Sequence, residues 1–258
     1  MLIFILALII GCLAGFLGAL LGISGGIIII PACQLFLGFS PLIAVGTSLL
    51  ATVFTTLSGA YGYYRAGNIR VNSALVIAAG GLTGVLIGSY LFKAYLSDNI
   101  ALLGTLLGSL FLFMALRMGG ELYGEWRHGA KAVSEPSKPI QNEKVKLFLL
   151  GLITGTMAGV LGVGGGFIIV PVLLWHFAAK PSEAAGTALL AMFPYMTIGA
   201  LIKLQQEFVN LPAGLLLALG CIIGAHFGVI ISPRVNPQLF KLIFTLIFLY
   251  LSWQYLLT

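Results

Sequence analysis

Apolar stretches of about 20 residues recur from end to end of this chain, and they limit its fold more than any other feature. A run of about that length is what an α-helix needs to cross a bilayer core of roughly 30 Å. Only 8% of the 258 residues are charged, whereas soluble domains carry about 25%. Short segments of alternating polarity, the pattern of outer-membrane strands, do not occur. The sequence therefore predicts an all-α polytopic membrane protein.

The second constraint is an internal repeat with an offset of 140 residues, seen where Pro31 matches Pro171 and Pro41 matches Pro181. Chance similarity between apolar helices aligns leucine with isoleucine, not prolines and glycines, so the offset indicates a duplicated unit. The same offset pairs Gly22, Gly25, Gly26, Gly80, Gly84 and Gly88 with Gly162, Gly165, Gly166, Gly220, Gly224 and Gly228.

This duplication predicts three parts: a first transmembrane repeat over residues 1–118, a polar cytoplasmic linker over 119–145, and a second repeat over 146–258. The linker is rich in glycine, proline and mixed charge, which is typical of an exposed connection. Each repeat is predicted to hold a broken helical element and then three membrane helices. The predicted ranges are 2–37, 41–63, 71–96 and 99–118, then 146–177, 181–204, 210–231 and 237–257.

Each broken element contains a glycine cluster, "GISGG" at 22–26 and "GVGGG" at 162–166. A continuous helix from Leu2 to Leu37 would be about 54 Å long, more than a bilayer core of roughly 30 Å. Because glycine costs a helix interior about 1 kcal/mol, the clusters mark the breaks. Each new helix then begins with unpaired N–H groups and a positive dipole end, which suit an anion. Matched breaks predict a transporter's central site, although two tight packing corners would give the same pattern.

The positions of basic residues bear on the topology. If each broken element is a re-entrant hairpin, the repeats are inverted, and eleven of the thirteen lysines and arginines share the linker's face, with Lys93 and Lys203 opposite. If each element crosses once, the repeats are parallel and the division is nine to four. The positive-inside rule favours inversion, with both termini outside. The 20 residues from Leu2 to Leu21 are nevertheless long enough to cross alone, so both topologies stay open.

Candidate site residues follow from the need of an anion for hydrogen-bond donors. The acidic residues all fall in the linker or near helix ends, which disfavours a cation site. Hydroxyl groups are available near the breaks, although a single one more often bonds helix to helix. Gln34 adds a polar group at depth. The predicted substrate-binding residues are Gly22, Ser24, Gly25, Gly26, Thr47, Gly162, Gly164, Gly165, Gly166 and Thr187.

Two histidines lie in or near apolar helices, His226 within "GAHFG" and His176 near the end of the second short helix. A buried histidine titrates near neutral pH, so His226 is a candidate for proton coupling. The competing interpretation is an interface histidine bonded to a backbone carbonyl. The three cysteines show no CxxC spacing, so the sequence predicts no metal site and no cofactor.

Other function classes find less support in the sequence. The net charge of +6 comes from residues between the spans rather than from one patch, so a nucleic-acid partner is not predicted. No HExxH motif and no Ser-Lys or Asp-Asp dyad occurs, so an enzyme is not predicted either. A passive anion channel is not separable from a transporter by sequence.

The motifs "GALLGISGGIIIIP", "GVLGVGGGFIIVP", "AVGTSLLA" and "AAGTALLA" resemble those of the TauE/SafE family, commonly described as sulfite or organosulfonate exporters. The resemblance covers nearly the whole chain. It implies a multi-pass secondary transporter that exports a small inorganic or organic sulfur anion across the inner (plasma) membrane bilayer, and it allows for a homodimer. One difference between the two halves is that Ser24 stands where the second repeat has Gly164.

Overall fold

A computed structural model describes residues 2–128, 143–177, 179–231 and 237–257, and within these ranges every regular element is helical. The predicted all-α fold is confirmed. A π-helical turn, Phe92–Leu96, extends the fourth helix. The helices are α1 Leu2–Leu21, α2 Gly26–Leu37, α3 Pro41–Arg65, α4 Val71–Leu91, α5 Ile100–His128, α6 Glu143–Leu161, α7 Gly166–His176, α8 Pro181–Gln205, α9 Leu211–Ile231 and α10 Pro237–Leu257.

Seven of the helices in the described ranges, α1, α3, α4, α5, α6, α8 and α9, are long and apolar enough to cross a membrane. Large apolar side chains such as Leu13, Leu75 and Leu215 are exposed on their outer faces. A water-soluble protein seldom exposes apolar patches over most of its surface, whereas lipid covers such a surface at no cost. These features define a multi-pass membrane protein.

Helix α5 is longer than predicted. It continues to His128, ten residues past the predicted end at residue 118 and into the predicted linker. Extending an existing helix adds one hydrogen bond for each residue without a new nucleation step, so the two glycines after Met118 do not stop it. Of the rest of the predicted linker, residues 143–145 form the start of α6, and residues 129–142 lie outside the described residues.

Glycine rows bring helices of the two halves into backbone contact, with α1 against α9 and α6 against α4. A Cβ atom on Gly220 would collide with the carbonyl of Leu8, and one on Gly80 with the carbonyl of Phe148. These two contacts are equivalent, because both partners differ by 140 residues. The predicted role of the glycine rows in close helix packing is confirmed.

Helix α1 runs parallel to α9, because Gly11 contacts Leu217 and Gly15, one turn later, contacts Cys221. Helix α6 runs parallel to α4 in the same way, through the contacts Gly151–Ile77 and Gly155–Gly81. The long arm of each broken element therefore packs against a helix of the other half. The two halves are interlocked rather than side by side.

Helices α3 and α8, each 25 residues long, are the most buried of the seven candidate spans. Helix α3 carries several buried hydroxyl groups, among them Ser48, Thr52 and Thr56. The Thr52 and Thr56 hydroxyls donate to carbonyls three or four residues earlier in their own helix. Such internal bonding lets polar side chains lie in an apolar interior, so α3 and α8 form a partly polar centre.

Candidate functional site

Both glycine clusters interrupt their helices. Helix α1 ends at Leu21 and α2 begins at Gly26, while α6 ends at Leu161 and α7 begins at Gly166. The turns use left-handed backbone conformations, which favour glycine because it has no Cβ atom. Ser24 adopts this conformation despite its side chain, with φ 69°. The glycines in this conformation are Gly22 (φ 73°), Gly25 (78°), Gly162 (72°), Gly164 (87°) and Gly165 (81°).

The two breaks lie against each other in the interior. The Ser24 hydroxyl donates to the Val163 carbonyl at 3.3 Å. A Cβ atom on Gly26 would lie 2.7 Å from the Gly162 carbonyl oxygen, and one on Gly166 would collide with the Gly22 carbonyl. The glycines of both breaks are buried, as is Ser24. The structure thus brings together eight of the ten predicted site residues, those of the two clusters.

The short helices α2 and α7 both begin in this region. The amides of Ile28 and Ile29 donate to the Gly25 carbonyl at 3.0 and 3.1 Å, and this is the first helical bonding of α2. In α7, Ile168 and Ile169 donate to Gly165 at the same distances. The amides of the residues just before them precede the helical pattern and have no partner within their helix. Two positive helix ends therefore meet in one buried region.

Carbonyl oxygens of the second break accept hydrogen bonds from hydroxyl groups. Tyr195 donates to Gly164 at 2.7 Å, and Ser48 donates to Gly162 at 3.1 Å. With Ser24 on Val163, three successive carbonyls are satisfied. These hydroxyl donors satisfy the carbonyls that join the end of α6 to the start of α7, so fewer unpaired acceptors remain beside the first amides of α7.

The centres of α3 and α8 enclose the breaks. The Thr52 methyl group would lie 3.3 Å from a Cβ atom on Gly26. The terminal methyl of Met196 lies against Gly164, and that of Met192 against Gly166. Methionine is unbranched and flexible, so these two side chains can change conformation beside the breaks.

The other two predicted site residues, Thr47 and Thr187, lie away from the breaks. The Thr47 hydroxyl accepts from the Asn210 amide at 3.0 Å, and the Thr187 hydroxyl accepts from the Arg70 amide at 2.9 Å. Each threonine thus binds the residue that precedes a helix of the other half. The α3 hydroxyl that donates to the break is that of Ser48, the residue after Thr47. Consecutive helical residues point about 100° apart, so Ser48 faces the break while Thr47 faces Asn210.

His176 and His226, the two histidines considered in the sequence analysis, are exposed. His226 lies on the outer face of α9 beside the Phe227 ring, with 5.8 Å between the ring centroids, and His176 ends α7. The premise of a buried histidine therefore does not hold for either residue. Within the described ranges no group of three or more His, Cys, Asp or Glu residues is placed to hold a metal.

Gln34 lines a cavity of about 230 Å³ between α2 and α10. The Tyr255 hydroxyl donates to its side-chain oxygen. Pro31, in the middle of α2, lines this cavity together with Gln34 and Leu35, whereas the break lies at the beginning of the helix. Gln34 is therefore separate from the breaks.

At the end of the bundle where α3 ends and α8 begins, Arg70 joins three segments, and we call this group the Arg70 clamp. Its guanidinium makes two contacts with the Glu183 carboxylate, at 2.9 and 3.0 Å. It also donates to the Phe177 carbonyl at 2.8 Å. The clamp connects the α3–α4 turn of one half to the α7–α8 region of the other. The only local sign of this clamp is a basic residue in a short turn.

Paired broken helices that meet inside a multi-pass helical bundle are typical of secondary transporters. The fold and the site thus define a membrane protein of the transporter class. The chain belongs to the sulfite exporter TauE/SafE family, whose model matches residues 7–255.

Curated proteins that match nearly the whole chain are named as probable membrane transporters. The chain is 25% identical to the probable membrane transporter protein YunE of Bacillus subtilis, over 97% of this chain and 96% of that protein. It is 26% identical to a probable membrane transporter protein of Xylella fastidiosa, over 95% and 93% of the two chains. A probable membrane transporter protein of Methanocaldococcus jannaschii is 25% identical, over 90% and 88%. No solved structure matches the chain significantly.

Proposed function

We propose that this protein is a secondary transporter that exports a small anion, sulfite or an organosulfonate, across the inner membrane. The observation that carries the proposal is the meeting of two helix N-termini, those of α2 and α7, in the buried centre of the bundle. Their first amides and helix dipoles favour a negative ligand, and glycine lets that ligand approach the backbone.

The types of buried polar side chain favour an anionic substrate over a cationic one. In the described ranges the buried polar and charged side chains are hydroxyls and one lysine, with no carboxylate among them. Asp98 and Glu207 are exposed, and Glu183 is paired with Arg70. A cation would need buried acids or an equivalent set of oxygens.

Helix directions support an inverted repeat. Thr47, near the start of α3, contacts Asn210, which follows the end of α8. Thr187, near the start of α8, contacts Arg70, which follows the end of α3. The equivalent helices α3 and α8 are therefore antiparallel, as two inverted units require. With the linker in the cytoplasm, α8 ends at the outer face, and each broken element forms a re-entrant hairpin.

Close contact between the breaks favours a carrier over a passive channel. The backbone of Gly26 lies against Gly162, and that of Gly166 against Gly22. A ligand can enter only if one broken element moves relative to the other. Such movement limits the rate and makes transport saturable, whereas an open pore would need no movement at the breaks.

The proposal is tested with purified protein in vesicles that contain labelled sulfite. Gly26→Ala and Gly166→Ala place a methyl group between the two breaks, and we expect export to fall by about tenfold or more. Gly120→Ala is the matched control, because a Cβ atom on Gly120 meets nothing within 4 Å. Competition between sulfite and ethanesulfonate would support a carrier. Failure of the wild-type protein to move either anion would overturn the proposal.

The proposal also covers the membrane location, the partners and the oligomeric state of the protein. The bundle lies in the inner-membrane bilayer, binds no nucleic acid, and has the capacity to form a homodimer. Mass measurement of the protein in detergent and in lipid nanodiscs tests the oligomeric state. A cysteine placed in the linker and labelled from one side of the membrane tests the cytoplasmic location.

A further inference from the structure

Lys203 has a buried amino group that the central site does not use. It lies in the last turn of α8 with 0% of its surface exposed. Its ammonium group has no hydrogen-bond partner within the part of the chain that the structure describes. Ionisable residues inside a membrane protein are rare and normally pair with another group. The lack of a partner therefore calls for an explanation.

Aromatic rings occupy the space around the ammonium group. Its nitrogen lies 2.9 Å from the centroid of the Phe92 ring and 5.9 Å from that of Phe208. The two rings pack edge to face, with 5.3 Å between their centroids. A ring face attracts a cation but accepts no ordinary hydrogen bond, so the ammonium keeps three donors for another ligand.

Nearby acidic groups do not neutralise Lys203. Glu207 and Asp98, on the adjoining turns, are both exposed. The Asp98 carboxylate accepts a hydrogen bond from Ser97. The amino group is therefore available to a mobile anion.

Ser89 provides a second unpaired group on the same side of the bundle. It lies one turn before Phe92 on α4, is 1% exposed, and its hydroxyl has no partner among the described residues. The Ser89 amide nitrogen would lie 2.7 Å from a Cβ atom on Gly159, in the last turn of α6 before the second break. Ser89 thus lies between the break and the Phe92 ring.

The other end of the bundle lacks these groups. The position equivalent to Lys203 is Tyr63, whose hydroxyl donates to the Ala19 carbonyl at 3.2 Å. Val229 stands at the position equivalent to Ser89. At these two pairs of equivalent positions, the unpaired amino group and hydroxyl belong to one side, which suits a step that occurs on one side of the membrane.

We propose that Lys203 and Ser89 form a second anion-binding site between the breaks and the outer end of α8, covered by Phe92 and Phe208. This inference rests on the proposed anion transport. The ligand is a small oxyanion that accepts hydrogen bonds from both groups, and the full charge of Lys203 attracts it outward from the partial charges at the breaks. The π-helical turn that begins at Phe92 gives this covering segment a local irregularity of the kind often found at functional sites.

The experiment measures anion binding to the purified protein by calorimetry, independently of transport. Lys203→Met keeps the length of the side chain and removes its charge. We expect the dissociation constant for sulfite to rise about tenfold or more, because a charge-assisted hydrogen bond is lost. Ser89→Ala should weaken binding less. Lys93→Met is the control, since Lys93 is at the same end of the bundle but exposed, and it should bind as the wild type does.

Thermal unfolding separates this role from a structural one. Replacing an unpaired buried charge by an apolar side chain leaves a protein equally or more stable, so Lys203→Met should not lower Tm without ligand. Sulfite should raise the Tm of this variant less than that of the wild type.

Unchanged sulfite affinity in Lys203→Met would overturn the inference and leave the proposed export intact. If the wild type exports neither sulfite nor ethanesulfonate, the proposed substrate fails. Sulfate binding that is lost in Lys203→Met would then still support the site, and equal sulfate binding by the two proteins would overturn it.

Discussion

The Ser24 hydroxyl donates a 3.3 Å hydrogen bond to the carbonyl of Val163 and thereby ties one helix break to the other. The position equivalent to Ser24 is Gly164, where a Cβ atom would collide with the Ser24 side chain. Only one of the two positions has room for a side chain. The difference between the halves is therefore a requirement of packing where two similar turns meet.

This packing predicts that Gly164→Ala destabilises the protein. Left-handed backbone, φ 87° at this position, costs a residue with a Cβ atom about 1–3 kcal/mol, and the collision with Ser24 adds to that cost. Adding Ser24→Gly should recover only the part due to the collision. Tm measurements on the single and double variants check this, and a double variant no more stable than Gly164→Ala would contradict it.

Tyr195→Phe should lower stability and slow export. The variant removes the 2.7 Å bond to the Gly164 carbonyl and leaves that buried acceptor unsatisfied, at a cost of about 1–3 kcal/mol. Tyr90→Phe is the control, because Tyr90 is 72% exposed. Denaturation and vesicle export measure the two effects. Equal behaviour of the two variants would show that the hydroxyl has no role at the break.

Within the Arg70 clamp, Arg70→Met should be more harmful than Glu183→Gln. The ion pair is partly exposed, with side-chain exposures of 35% and 26%, so its loss costs about 1 kcal/mol or less. Arg70→Met also removes the hydrogen bond to Phe177, which Glu183→Gln leaves in place. A double-mutant cycle on Tm and export rate separates the two contributions. Equal losses from both single variants would argue against the Phe177 contact.

Valine at Gly80 or at Gly220 should disrupt the fold to a similar extent. At both positions a side chain would collide with a carbonyl of the facing helix, and overpacking costs about 1–3 kcal/mol or more. Gly124→Val is the control, because nothing lies within 4 Å of a Cβ atom there. The yield of monodisperse protein and its Tm are the measurements. A harmful effect in only one half would contradict the equivalence of the two contacts.

His226→Ala should leave the pH-gradient dependence of export unchanged. The side chain is exposed on α9 and contacts Phe227 rather than the breaks. Vesicle transport under an imposed gradient measures this. A lost gradient dependence would restore His226 as the proton-coupling residue.

Local features of the sequence predicted much of this architecture. Three or four glycines within five residues weaken a helix more than the pair after Met118 does, so the breaks at 22–26 and 162–166 could be located without a structure. Apolar length and Pro41 or Pro181 at a helix start likewise fixed the bounds of α3 and α8 to within two residues.

The contents of the site were less predictable. Whether Thr47 or Ser48 faces the break depends on the rotation of α3 about its axis, and hydroxyl side chains at several positions around this helix give no single polar face from which to predict it. Lys203 was assigned to one face of the membrane by counting charges, but its burial depends on Phe92, more than 100 residues away. Side-chain contacts between residues far apart in the chain produce no pattern in the sequence near either residue.

The interlocking of the arms has a consequence for biosynthesis. Helix α1 is made before α9, the helix that covers its glycine face, and seven further α-helices are made between the two. In the meantime the polar turn at Ser24 has no counterpart to receive its hydrogen bond. The packing of the first half therefore stays incomplete until the second half is inserted. Until then, lipid or a chaperone must cover the glycine face of α1.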